Sequence, residues 1–227
     1  MRLIRLGAAT AGVAMVEFAL ALPFLLAVSL YGIETINLVV TTMRINQAAT
    51  HIADNASRIG DISRLENRQI YESDISDLLL GAAHQTGAGL DLFGRGRVII
   101  SSLETVPGTE DGRNYIHWQR CKGRKVHAST YGNEGDGLGS PAIYSMGPAD
   151  APVSAYDHRD AVMFVEIAYD YRPLFSDMFV SDRTIRAHAA FNVRADRDLT
   201  QIYQRDETQP DTPETCDKHD SFDIVVA

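Results

Sequence analysis

From Leu6 to Ile33 the chain carries one charged side chain, Glu17, in an otherwise apolar run. A span of about 20 apolar residues crosses a hydrocarbon core about 30 Å thick, so this run predicts a transmembrane helix. The helical pattern does not stop there. Ile45, Ala48, Ala49, Ile52, Ala53, Ala56 and Ile59 recur at three- and four-residue steps, with Asn46, Gln47, His51, Asp54 and Arg58 opposite. Gly60 is placed to end the helix, because glycine accepts the left-handed conformation after a last turn. A helix from Val13 to Ile59 would be about 70 Å long at 1.5 Å per residue, so its second half must project beyond a bilayer. Pro23 lies inside it and removes one backbone bond, which predicts a bend or local opening.

Further along, Ser63 and Glu66 form a Ser-x-x-Glu capping box, predicting a second helical region to Leu80 with Leu65, Ile75, Leu78 and Leu79 inward. Strands follow. Arg97–Val106 contains Val98, Ile99, Ile100 and Leu103, and Pro107-Gly108 with Asp111-Gly112 turns the chain into Asn114–Arg120. Residues 129–156 are rich in Gly, Pro, Ser and Asp, the composition of a long surface loop. Ala161–Tyr169 places Ala161, Met163, Val165, Ile167 and Tyr169 on one face. Arg183–Val193 sets Ile185, Ala187, Ala189, Phe191 and Val193 against polar neighbours. Period two predicts half-buried antiparallel strands. The tail after Asp206, with Pro210 and Pro213, reads as irregular. The pattern is therefore α+β: a long N-terminal transmembrane helix extending into an outer domain with a small antiparallel sheet. Its divisions are residues 1–12, 13–60 and 61–227.

Charge adds direction. Arg2 and Arg5 precede the apolar run and Glu34 follows it, so the amino terminus should face the cytoplasm and the rest lie outside. The run exceeds the roughly 7–15 apolar residues of a cleaved secretory signal. The net charge of −9 gathers late: residues 196–220 hold eight acids against Arg197, Arg205 and Lys218, a net of −5. Such a surface does not favour nucleic acid, which needs cations to displace phosphate counterions. The basic cluster Arg120, Lys122, Arg124 and Lys125 reads as a solvated turn.

Glu17 is the feature that demands an explanation. A charge at mid-bilayer costs roughly 2.5–3.5 kcal/mol on insertion scales, so it usually has a partner and a function. Gly12 lies five positions upstream. If a protease cut after Gly12, Val13 would become the amino terminus and Glu17 the fifth residue. The α-amine of one subunit and the carboxylate of a neighbour would then neutralise each other within packed helices, and the pairing would set their axial offset. A glutamate merely tolerated near a helix end is the plainer alternative.

The run Ala11-Gly12-Val13-Ala14-Met15-Val16-Glu17-Phe18-Ala19-Leu20-Ala21-Leu22-Pro23 resembles the TadE-like family of minor pilins (pseudopilins) of the tight-adherence, or Flp, pilus system. That family's pattern is a glycine, four residues, a glutamate, an aromatic, and an apolar run with a proline. The resemblance is strong over residues 7–55 and less specific at Trp118–Cys121 and Ala168–Phe175. It implies a pilin-like α+β fold, a bacterial inner-membrane location with a periplasmic C-terminal domain, and a role in building or anchoring adhesive pili. The implied partners are other pilin and pseudopilin subunits, a prepilin peptidase, the inner-membrane assembly platform and the lipid bilayer. By the same resemblance residues 1–12 are a prepilin-type leader, Gly12 and Val13 flank the scissile bond, and Glu17 with Phe18 serves maturation or assembly. Major Flp pilins favour Tyr where this chain has Phe18. TadG-like relatives share the anchor without being processed, so an uncut single-pass assembly factor stays open as the alternative.

Cys121 and Cys216 are the only cysteines, and in an oxidising periplasm such a pair is expected to form a disulfide. A zinc site from Cys121, His127, Cys216 and His219 competes, but its spacings are not a strong ligand pattern. No metal or cofactor is expected. His117, Trp118 and Arg120, or Asp157, His158 and Asp160, suggest ligand or acid–base chemistry only by composition. The glycines at 94, 96 and 132–139 lack the lysine and helix start of a phosphate loop, and no Gly-x-Ser-x-Gly elbow occurs. The expected function is therefore structural, a processed minor pilin. A membrane-tethered periplasmic enzyme or ligand-binding domain has no motif behind it.

Overall fold

A computed structural model describes residues 10–61, 66–87, 89–175 and 183–222. Arg2, Arg5, Ser63 and Leu65 lie outside the described residues. The chain is α+β, with a long apolar helix preceding a four-stranded antiparallel sheet. It divides into two units, one of Met1–Val40 with Arg172–Asp182, the other of Thr41–Tyr171 with Arg183–Ala227.

Helix α1, Thr10–Ala56, stays helical through Pro23. In the first unit its large apolar side chains are exposed, Phe18 and Phe24 among them. In the second unit it buries Ile45, Ala48, Ala49, Ile52, Ala53 and Ala56, the stripe that the three- and four-residue spacing predicts. The helix ends at Ala56, before Ile59 and Gly60. A remote residue meets its end: the Arg197 guanidinium donates to the Ala56 carbonyl at 3.1 Å and to the Ile59 carbonyl at 2.7 Å. A cation on the last carbonyls both satisfies them and complements the helix dipole.

The second helix starts later than the Ser63–Glu66 box predicts. Helix α2 spans Glu72–Thr86, and Glu66 precedes Asn67, whose φ of 51° is left-handed. Asp74 supplies the cap by accepting from the Tyr71 amide at 3.1 Å. Inside it Ile75 and Leu79 are buried, whereas Leu78 is half-buried. A single turn, α3 (Leu92–Arg95), leads into the sheet.

Strands β1 (Gly96–Thr105), β2 (Asn114–Lys122), β3 (Ala161–Asp170) and β4 (Thr184–Asn192) pair in the order β2-β1-β3-β4. Edge strand β4 keeps the expected alternation through His188, with Ile185 and Ala187 buried and Thr184, Arg186 and His188 exposed, and loses it at Ala189, Ala190 and Phe191, which are all half-buried. Strand β3 does not. Every residue from Ala161 to Tyr169 is buried, not alternate ones. The stretch 129–156, read from composition as a surface loop, supplies the second cover: Met146 and Ala155 are buried with Leu103, Ile116, Val162 and Phe164, and Tyr131, Ile143 and Val153 pack on them. Buried Asn114 fastens this layer, donating to the Ala155 carbonyl at 3.0 Å and accepting its amide at 2.8 Å.

The outer edge of β2 is occupied along its length. The amides of Asn114, Ile116, Cys121 and Gly123 donate to the carbonyls of Ile143, Asp136, Glu214 and Asp220, and that of Gln119 to the Glu134 carboxylate. An open edge invites pairing with another chain, and here loop and tail satisfy it. The acidic tail is irregular as expected, yet it is docked.

Candidate functional site

Gly12, Val13, Glu17 and Phe18 all lie on α1. Gly12, Val13 and Glu17 are exposed, and Phe18 is 61% exposed. Among the described residues nothing outside the helix's own backbone lies within 4 Å of where a Gly12 side chain would begin. Val13 and Glu17 are one helical turn apart and share a face. In the uncut chain the Val13 nitrogen is an uncharged helix amide.

A second carboxylate on the same helix escaped the motif reading. Glu34 is fully buried within the first unit and accepts the backbone amides of Leu174 at 2.9 Å and Phe175 at 3.2 Å. In sequence it looked like the first charge beyond the apolar run. The contact joins positions 140 residues apart, which no local pattern reports.

Cys121 and Cys216 are joined by a disulfide, their Cα atoms 4.7 Å apart. With both sulfurs bonded, neither is a thiolate for zinc. Among the described residues no group of three or more metal-ligating side chains occurs. Beside the bridge the buried Arg97 guanidinium donates to the carbonyls of Cys216 at 2.5 Å, Gly123 at 3.0 Å and Lys218. Burial pushes Arg97 below its ordinary pKa, against the pull of Asp220 and Asp217.

The basic cluster is not the solvated turn its composition suggests. Arg120 and Lys122 stand on β2 and are buried. Arg120 forms an ion pair with Glu72 of α2, its Nε 3.0 Å from Glu72 Oε2. Lys122 meets Glu214 at 2.9 Å and Asp220 at 3.0 Å, and its ammonium lies 4.7 Å from the Phe222 ring centre. Lys125 pairs with Asp170 at 2.5 Å, and of the four only Arg124 is exposed. Acids remote in sequence neutralise these cations, which a window on residues 120–125 cannot register.

His117 and Trp118 likewise belong to the packing. Trp118 is buried, and His117 Nδ1 lies 2.9 Å from Glu104 Oε2 while Ser102 Oγ donates to Oε1 at 2.6 Å. The hydrogen bond to Glu104 raises the His117 pKa against partial burial. Burial first and Glu104 second push the Tyr115 hydroxyl up to about 12. Burial lowers Arg197 to about 10. Asp157 and His158 form a 2.5 Å pair on the open surface.

Fold and site together define an α+β protein led by one helix, Gly12–Ala56, that is long and apolar enough among the described residues to cross a membrane. Residues 12–54 match the family model described as TadE-like protein, the family that the glycine–glutamate–aromatic motif resembles. A TadE-like segment suggests involvement in Tad pilus assembly and interaction with other components of that system. No curated protein and no solved structure matches the chain.

Proposed function

We propose that this chain is a minor pilin, or pseudopilin, contributing to the assembly of Flp/Tad-type adhesive pili. A prepilin peptidase cuts the Gly12–Val13 bond, and Glu17 of one subunit then pairs with the new α-amine of another. The carrying observation is the TadE-like match over residues 12–54, a stretch in which Glu17 lies exposed on a long apolar helix. The amino terminus faces the cytoplasm and the sheet-bearing unit the periplasm. The Cys121–Cys216 bridge supports that side, because disulfides persist in oxidising compartments. The role is structural, not enzymatic: the strongest candidate chemical groups, Glu104, His117, Arg120 and Lys122, hold layers together.

The test is the amino-terminal sequence and intact mass of the protein from native membranes, where a chain beginning at Val13 is expected. A chain retaining Met1 and Arg2 overturns processing and leaves an uncut assembly factor. Glu17→Ala is expected to insert normally yet fail in processing or pilus assembly. Normal piliation in that variant overturns the register role of Glu17.

A further inference from the structure

The link between β3 and β4 returns to the amino-terminal helix at one height. Glu34, 0% exposed, holds the amides of Leu174 and Phe175 with a single carboxylate oxygen. It follows Ile33 directly, the last residue of the uncharged stretch after Glu17. The backbone of Leu174 and Phe175 is therefore fixed where an apolar span leaves the hydrocarbon. Their side chains are not consumed by that contact: Leu174 is 59% exposed and Phe175 48%. Arg172, also exposed, precedes them, and Tyr31, 54% exposed, lies one helical turn before Glu34. An aromatic residue and an arginine around an apolar tip are the side chains that suit the headgroup boundary.

We infer that Leu174 and Phe175 form a membrane-interface anchor, inserted into the outer leaflet beside the helix and held at that depth by Glu34. The occupant is the lipid bilayer, because the tip is tied one residue beyond a run that crosses it. A carboxylate accepting two amides makes charge-assisted bonds, which strengthen where water is scarce. Lipid beside Glu34 thus reinforces the tie that positions the tip. Arg172 meets the phosphates of the headgroups. The proposal rests on α1 spanning the membrane.

The experiment uses the full chain in phosphatidylcholine–phosphatidylglycerol vesicles. One set has acyl chains brominated near the headgroup to read the tip and one has them brominated near the chain end to read the span, since position 24 lies about 15 Å along the helix from Glu34. Phe175→Trp and, independently, Leu174→Trp report the tip, with the parent protein supplying the Trp118 background. Phe24→Trp reports the span. Expected are a blue-shifted tip emission that bromine quenches, and quenching at position 24 as well. Adding Glu34→Ala should abolish tip quenching and spare that at position 24. Quenching at position 24 with both tip variants emitting as in water overturns the inference while the anchor reading stands. A blue-shifted tip that bromine does not quench also overturns it, since protein then covers the tip. No quenching at any position overturns the anchor reading and the inference with it.

Discussion

Glu104 is a buried acid at the centre of three neighbours: His117, Ser102 and Tyr115. Its bond to His117 ties folding to pH. The folded His117 pKa lies above the unfolded value of about 6.5, so its stabilisation is fully present below that value and is lost as pH rises through the folded pKa. Chemical denaturation followed by Trp118 fluorescence should therefore show wild type gaining on His117→Gln as pH falls from about 8 toward 6. A constant difference across that range would count against the bond. The Glu72–Arg120 pair calls for a different expectation. Removing one partner of a buried ion pair leaves the other charge unmatched, so Glu72→Ala should cost about 3 kcal/mol in the same assay. Arg120 keeps the Gln119 carbonyl and a 3.4 Å approach to Glu134, which places the effect at the lower end of the usual range.

At the scale of elements, β2 pairs with β1 on one side and is held on its outer edge by partners that are not strands. Gly123 shows how tightly. Its φ of 127° suits glycine, and an added side chain would begin 2.1 Å from the Gly96 carbonyl oxygen. Its amide donates to Asp220, and its carbonyl accepts from Arg97. The disulfide and the Arg97 contacts hold the tail on this edge together. The bridge closes a separation of 95 residues, for which the chain-entropy account gives about 4–5 kcal/mol. Cys121→Ser with Cys216→Ser should destabilise by about 2–5 kcal/mol, with the Cys121 and Gly123 amides losing hydrogen-exchange protection first. Unchanged protection would mean that Lys122, Glu214 and Asp220 keep the tail in place without the bridge.

For the whole molecule the division falls inside α1, between Val40 and Thr41, so one helix contributes to both units. Its first part shows apolar residues all round and its second only a buried stripe, which is why the pattern changes character near Arg44. The proposed cleavage and the proposed interface anchor both belong to the first unit. The second supplies the sheet and the docked tail.

Local pattern sufficed for α1 and for where the four strands lie, because each follows from short-range spacing and turn residues along one element, although β1, β2 and β3 are buried on both faces and do not alternate. Composition read the 129–156 stretch rightly as an irregular, mostly exposed loop but did not show that its scattered Tyr131, Ile143, Met146 and Val153 meet the sheet after folding. The capping box misled because residues 66–70 are not helical and Asp74, accepting the Tyr71 amide, caps the helix that starts at Glu72. Arg197 on the end of α1, Glu72 against Arg120 and Glu34 against Leu174 each join residues far apart in sequence. Chain order determined which segments are helix, strand and membrane-length. Which charges are paired, which faces are covered and where the β3–β4 link is tied were decided by tertiary structure, since burial sets the value of a charge and only the folded chain sets burial.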